Sequence, residues 1–174
     1  MSITRLNHAV LYVRNLERTQ EFYENVLGFR TIIFMPGQAA FLQASGSSND
    51  HDLGVFQIGD QAGPSQAGRS TVGLYHLAWE VDTLAELARI RGVLQDRGAL
   101  VGASDHVTTK ALYAQDPDGI EFEVSWLLPA NLIDDGIRDR LATHGIRPQP
   151  LDIPAEIQRY GAQTLGGLGV SIPL

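Results

Sequence analysis

The chain has 174 residues, 44% hydrophobic and 19% charged, with a formal net charge of -7 and no cysteine. This length and composition suit a single soluble domain with a core of its own. The acidity, with no basic cluster, argues against nucleic acid or an anionic membrane as partner. The lack of cysteine excludes disulfides and thiolate metal sites and fits a reducing, cytoplasmic location.

Residues 1–5 do not read as a signal peptide, and no apolar run approaches the roughly 20 residues of a membrane span. Residues 5–13 predict a strand. Asn15 is the N-cap of a helix over 16–27, with Phe22, Tyr23, Val26 and Leu27 as its buried stripe and Gly28 at its end. Strands follow over 29–34 and 40–44, parted by a Pro36-Gly37 turn, and 51–58 closes a β-α-β-β-β unit. A polar loop over 59–72 leads to a second unit of the same order. Its strand covers 74–81 and its helix 84–97, with Thr83 and Glu86 as a capping box and Gly98 as a stop. Strands near 100–104, 108–115 and 119–126 complete it, the last two joined by Asp116-Pro117-Asp118-Gly119. Residues 129–174 hold five prolines, one short helix over 131–143, no further strand pairing, and a flexible Gly166-Gly167-Leu168-Gly169 stretch. They read as an extension over the core or against a partner chain.

His8 and His76 occupy the same place in the two copies, in Leu6-Asn7-His8-Ala9-Val10 and Leu74-Tyr75-His76-Leu77-Ala78. A duplicated unit packed about a pseudo-twofold axis brings equivalent positions together. With Glu123 they form a set of imidazole and carboxylate donors suited to Fe(II), Mn(II), Zn(II) or Ni(II). The last strand alternates: Ile120, Phe122, Val124 and Trp126 point one way, Glu121, Glu123 and Ser125 the other. Alternation alone is as consistent with a solvated face as with a cupped active site.

Several marks resemble the vicinal oxygen chelate superfamily of glyoxalase I, bleomycin- and fosfomycin-resistance proteins and extradiol catechol dioxygenases. They are Leu6-Asn7-His8, Phe22-Tyr23 with Leu27-Gly28-Phe29, Tyr75-His76-Leu77-Ala78, and Asp116-Pro117-Asp118-Gly119 running to Glu123. The stretch from His106 through Leu112-Tyr113 to Glu123 is similar to the extradiol dioxygenase signature, although Ser104 departs from its usual residue. His51-Asp52-Leu53-Gly54 is similar to the segment that carries a second active-site histidine.

The resemblance implies an α+β fold of two tandem βαβββ modules, 4–58 and 73–127, forming a cupped incomplete barrel over residues 4–127, with 128–174 as the C-terminal extension. It implies His8, His76 and Glu123 as ligands of Fe(II), or of Mn(II) in the same geometry. His51 would steady oxygen or move a proton, and His106 and Tyr113 would hydrogen-bond the substrate oxygens. The partners would be a small catechol-type aromatic, dioxygen and a second copy in a homodimer; the product would be a ring-opened semialdehyde. His144 has no role in this reading, and Asp52 and Glu121 are structural or surface carboxylates. Phe34, Met35, Phe41, Phe56 and Trp126 serve equally as an aromatic pocket or as core. Two rivals remain: a glyoxalase-like lyase or isomerase using Zn or Ni with Gln57 as a fourth ligand, and a metal-free protein that sequesters a small ligand.

Overall fold

A computed structural model describes residues 2–3, 5–67, 70–145 and 147–167, with His144 by its backbone alone. The chain divides into two compact units, residues 1–71 with 116–120, and residues 72–115 with 121–174.

The first unit runs β1 (Ala9–Val13), α1 (Leu16–Leu27), β2 (Arg30–Met35), β3 (Ala39–Gln43) and β4 (Leu53–Gln57). Its sheet has the order β1-β4-β3-β2, with β1 parallel to β4 and the other pairs antiparallel. Helix α1 starts where Asn15 accepts from the Arg18 N–H at 2.8 Å, and where Gln57 Oε1 on β4 accepts from the Leu16 N–H at 2.9 Å. It ends at Gly28, whose φ of 71° is the left-handed conformation that glycine takes without penalty. Leu16, Phe22, Tyr23 and Val26 of the helix are buried, as are Leu42, Leu53 and Val55 of the sheet.

The second unit repeats the plan: β5 (Leu77–Glu80), α2 (Leu84–Asp96), β6 (Leu100–Asp105), β7 (Thr109–Gln115) and β8 (Glu121–Leu127). Again the first strand lies parallel to the last, in the order β5-β8-β7-β6. Thr83 caps α2 through the Glu86 N–H at 3.2 Å, but Glu86 pairs with Arg89 at 2.6 Å, so only half of the capping box forms. The sheet is α+β in character with each helix on one face. Among the described residues no helix is long and apolar enough to cross a membrane.

Several elements differ from the sequence reading. The first strand of each unit begins only at Ala9 and at Leu77, so His8 and His76 precede their strands; His51 likewise precedes β4. Backbone pairing, not apolar composition, sets where a strand starts. After Leu127 comes a 3-10 turn over Ala130–Leu132, then α3 (Asp135–His144), β9 (Gln149–Pro150) and α4 (Ile153–Tyr160). Strand β9 pairs with β6, a further strand partner that the sequence reading did not place. Nor are Gly166 and Gly167 loose: their N–H groups donate to Asp82 O and Leu127 O, each at 2.8 Å. A Cβ on Gly166 would stand 3.2 Å from Leu127 O and from the Trp126 ring, so glycine serves close approach there. Leu168 and Gly169 lie outside the described residues.

The Asp116–Ile120 turn clusters with the first unit. Asp118 accepts from the Arg14 N–H at 2.8 Å and pairs with Arg14 at 3.1 Å and Arg18 at 2.8 Å. Asp116 is buried; its Oδ1 accepts the Asp118 and Ile120 N–H groups, each at 2.9 Å, while its Oδ2 has no hydrogen-bond partner among the described residues. Burial pushes its carboxyl up to about 6, against the pull of those two backbone bonds. The folded state therefore binds this proton more tightly than the unfolded chain, and its contribution to stability is lost as pH rises from about 4 to about 6. In urea melts, Asp116→Asn should gain stability relative to wild type across that window, by about 1–3 kcal/mol; a difference independent of pH would show that Asp116 does not titrate there.

Candidate active site

The second unit gathers four of the candidate residues through strand register. Tyr113 on β7 stands directly opposite Glu123 on β8, and Ala78 on β5 is opposite Glu123 on its other side. Residues opposite one another share a face. His76, two residues before Ala78, falls on that face, and its Nε2 lies 3.3 Å from Glu123 Oε2. The Tyr113 hydroxyl is 3.0 Å from His106 Nε2, and the His76 and Tyr113 ring centroids are 5.9 Å apart. The opposite face of β8 presents Phe122, Val124 and Trp126, all buried, which makes one side of the sheet core and the other half-open.

The chemistry of this face is acid and base. Burial, then the Glu123 carboxylate, pushes the Tyr113 hydroxyl up to about 12, so near neutral pH it is a protonated donor. The bond it shares with His106 runs in either sense according to the imidazole tautomer. His76 Nδ1 is buried and has no hydrogen-bond partner among the described residues. Imidazole nitrogen and carboxylate oxygen at 3.3 Å are a donor pair that a divalent first-row ion fits.

In the first unit, the parallel pairing of β1 with β4 brings the residues ahead of both strands together. The His8 and His51 rings lie 4.5 Å apart, tilted by 37°, and Phe41 meets His51 edge-on at 5.0 Å. His8 is exposed and its Nδ1 is 2.7 Å from Asn7 Oδ1. Asp52, next to His51, is a structural carboxylate. It accepts from Ser47 Oγ at 2.7 Å, Asn49 Nδ2 at 2.7 Å and the Ala44 N–H at 2.8 Å, tying down the loop that carries His51.

The structure thus pairs His76 with Glu123, His106 with Tyr113, and His8 with His51. No three His, Asp or Glu side chains among the described residues gather into a metal-ligating group. Trp126 belongs to the core, its Nε1–H donating to Thr164 O at 3.1 Å, whereas Phe34 and Met35 are exposed on β2. The sequence reading passed over Asp105 and Lys110, which flank His106 in the β6–β7 hairpin; the available signal was a lysine inside the apolar run of β7.

Gln57 carries a discriminating contact. Its side-chain oxygen is used to cap α1, not held free as a ligand. Gln57→Ala should lower stability by about 0.5–1.5 kcal/mol in urea melts and leave metal stoichiometry at the wild-type value. Loss of metal in that variant would instead make Gln57 a ligand.

Residues 5–124 match the sequence profile of the Glyoxalase/Bleomycin resistance protein/Dioxygenase superfamily. The chain is 32% identical over 161 residues to a catechol-2,3-dioxygenase of Bacillus subtilis, a match covering 91% of this chain and 53% of that enzyme. The chain therefore spans about half the length of that relative. It is 30% identical over 124 residues to a lactoylglutathione lyase of Neisseria meningitidis, covering 68% of this chain and 88% of the lyase. Among solved structures, a glyoxylase/bleomycin resistance protein/dioxygenase domain from Frankia sp. superposes with a TM-score of 0.59 at 20% identity, over 71% of this chain and 92% of that one. At that identity the likeness is one of fold.

Proposed function

The chain belongs to the Glyoxalase/Bleomycin resistance protein/Dioxygenase superfamily, and from that premise we propose that it is a metal-dependent extradiol dioxygenase that opens a catechol-type aromatic ring. The observation that carries this reading is the His106–Tyr113 hydrogen bond standing beside the His76–Glu123 pair on one half-open sheet face. A ring-cleaving site needs a metal-binding pair with proton-handling groups next to it. A site that only sequesters a ligand has no use for an imidazole–carboxylate pair backed by an imidazole–phenol pair. The dioxygenase likeness supports the same reading, and the helix-capping role of Gln57 counts against the lyase alternative.

In this proposal His8, His76 and Glu123 hold Fe(II), or Mn(II) in its place. When bound, the ion would supply open coordination positions and a path for electron density between catechol and dioxygen. The protein supplies the proton chemistry. Tyr113, a protonated phenol whose hydroxyl burial and Glu123 make still harder to ionise, donates a hydrogen bond to a substrate oxygen as charge develops there. His106, linked to Tyr113, accepts a proton from a substrate hydroxyl or stabilises the oxygen that has lost it. His51, held by the Asp52-organised loop, is the acid or base on the oxygen side. The reading extends to a paired-module domain over residues 4–127 with the extension 128–174, and to a cytoplasmic homodimer.

The deciding measurement is metal analysis of protein purified anaerobically without an affinity tag, followed by oxygen uptake on a panel of catechols. About one Fe or Mn per chain with catechol-dependent uptake supports the proposal; stoichiometric Zn or Ni without uptake favours a lyase. Glu123→Ala should lose the metal while its circular dichroism stays that of the wild type, and retention of the full complement would remove Glu123 from the ligand set. His51→Phe should keep the metal and lower turnover by about 10²- to 10⁴-fold; wild-type turnover would end its catalytic role.

A further inference from the structure

We propose that the C-terminal extension positions the His106 imidazole through a buried charge network centred on Asp105 and Lys110, an inference that rests on His106 acting in the reaction above.

The argument starts at the β6–β7 hairpin. The Thr108 N–H donates to His106 O at 2.9 Å, closing a γ-turn around Val107, whose φ is 72°. A β-branched residue rarely enters that region, and such a turn persists only where its surroundings enforce it. Here they do. Asp105 Oδ1 accepts the Val107 N–H at 2.7 Å, and Lys110 Nζ donates to Val107 O at 3.0 Å. Lys110 and Asp105 join to each other at 2.6 Å. The His106 N–H donates to Thr109 O at 2.8 Å. Both peptide groups flanking His106 are therefore held, and only its side-chain torsions remain to aim Nε2 at Tyr113.

Lys110 cannot reach the substrate. It shares its face of β7 with Leu112 and Ala114, opposite Trp126 of the core, whereas Tyr113 lies on the other face. Its side chain is 0% exposed. A cation in that position needs counter-charge and full hydrogen bonding. Its hydrogen bonds go to Asp105 Oδ1 and Val107 O within the hairpin, and the extension adds charge: Glu156 of α4 lies 3.0 Å from Lys110 Nζ as an ion pair, and Arg140 of α3 lies 2.9 Å from Asp105 Oδ2. Strand β9 adds a third anchor by pairing Gln149 with Asp105. Two cations and two anions thus close around the hairpin from behind the sheet. Apolar side chains would fill the same space at no electrostatic cost, but they could not hold the N–H and C=O of Val107.

Glu156→Gln and Arg140→Gln test this on the full chain, with Arg140→Lys as the conservative control. The readouts are the ¹⁵N imidazole signals of His106, amide hydrogen exchange at Val107 and Thr108, metal content, and kcat and KM on the catechol that wild type turns over. We expect the His106 signals to shift, the two amides to exchange about tenfold faster, and kcat to fall about 10- to 100-fold with KM and metal content near wild type. Arg140→Lys should recover most of each change. A uniform drop in melting temperature, with His106 signals, local exchange and kcat unchanged, would overturn the proposal and leave the network a purely structural anchor. Should Glu156→Gln fail to fold, Arg140→Gln, altering a partly exposed residue, carries the same decision. Should wild type turn over no catechol, the function reading fails, while the imidazole signals and local exchange still decide the positioning.

Discussion

In each unit the first strand runs parallel to the last, and a parallel pair must be closed by a crossover rather than a tight turn. Helices α1 and α2 with the strands after them make that crossover. The consequence is chemical. Residues just ahead of the first strand come to lie beside residues on or ahead of the last one. His76 meets Glu123 in this way, and His8 meets His51. Every candidate contact at the N-terminal end of a first strand depends on that pairing. A one-residue slip of β8 would turn Glu123 into the core and Val124 onto the open face.

The second unit then separates two jobs by the two faces of one sheet. Tyr113 and Glu123 look to the open face, where Tyr113 is a protonated phenol and the carboxylate is only partly buried. Lys110, Leu112, Phe122, Val124 and Trp126 look to the core. The hairpin between β6 and β7 is where the faces communicate, because its backbone is gripped from behind and its His106 ring reaches forward. Its strained turn is tolerable only because the flanking side chains satisfy the backbone polar groups of Val107.

Much of this was legible along the chain. The duplication shows in Leu6-Asn7-His8 and Leu74-Tyr75-His76, and the helix limits show in Asn15, Gly28 and Thr83, since caps act through local backbone groups. The alternation marked Phe122, Val124 and Trp126 as core correctly, whereas Ile120 lies ahead of β8 and is only half-buried, and Ser125 is buried although it reads onto the polar face. Strand onsets read too early along the chain: residues 5–8 count into the first strand by sequence, but among the described residues no partner strand pairs with them. Strand β9, two residues long and containing Pro150, lies below any periodicity signal and exists because β6 offers an edge. Gly166 reads as flexible by composition, yet its backbone is held and a Cβ there would press Trp126 and Leu127 at 3.2 Å.

The sequence by itself determined the two βαβββ units with their caps and turns, because each follows from local preference or from period; the candidate site residues came from the repeat of the histidine segments and from the family resemblance. It named His76, His106, Tyr113 and Glu123 as candidates without showing that they meet. The tertiary structure decided their pairing, the diversion of Gln57 to a helix cap, and the burial of Lys110 among Asp105, Glu156 and the Val107 carbonyl. Those outcomes depend on contacts between residues far apart in the chain, where register and burial, not local propensity, set which groups face each other.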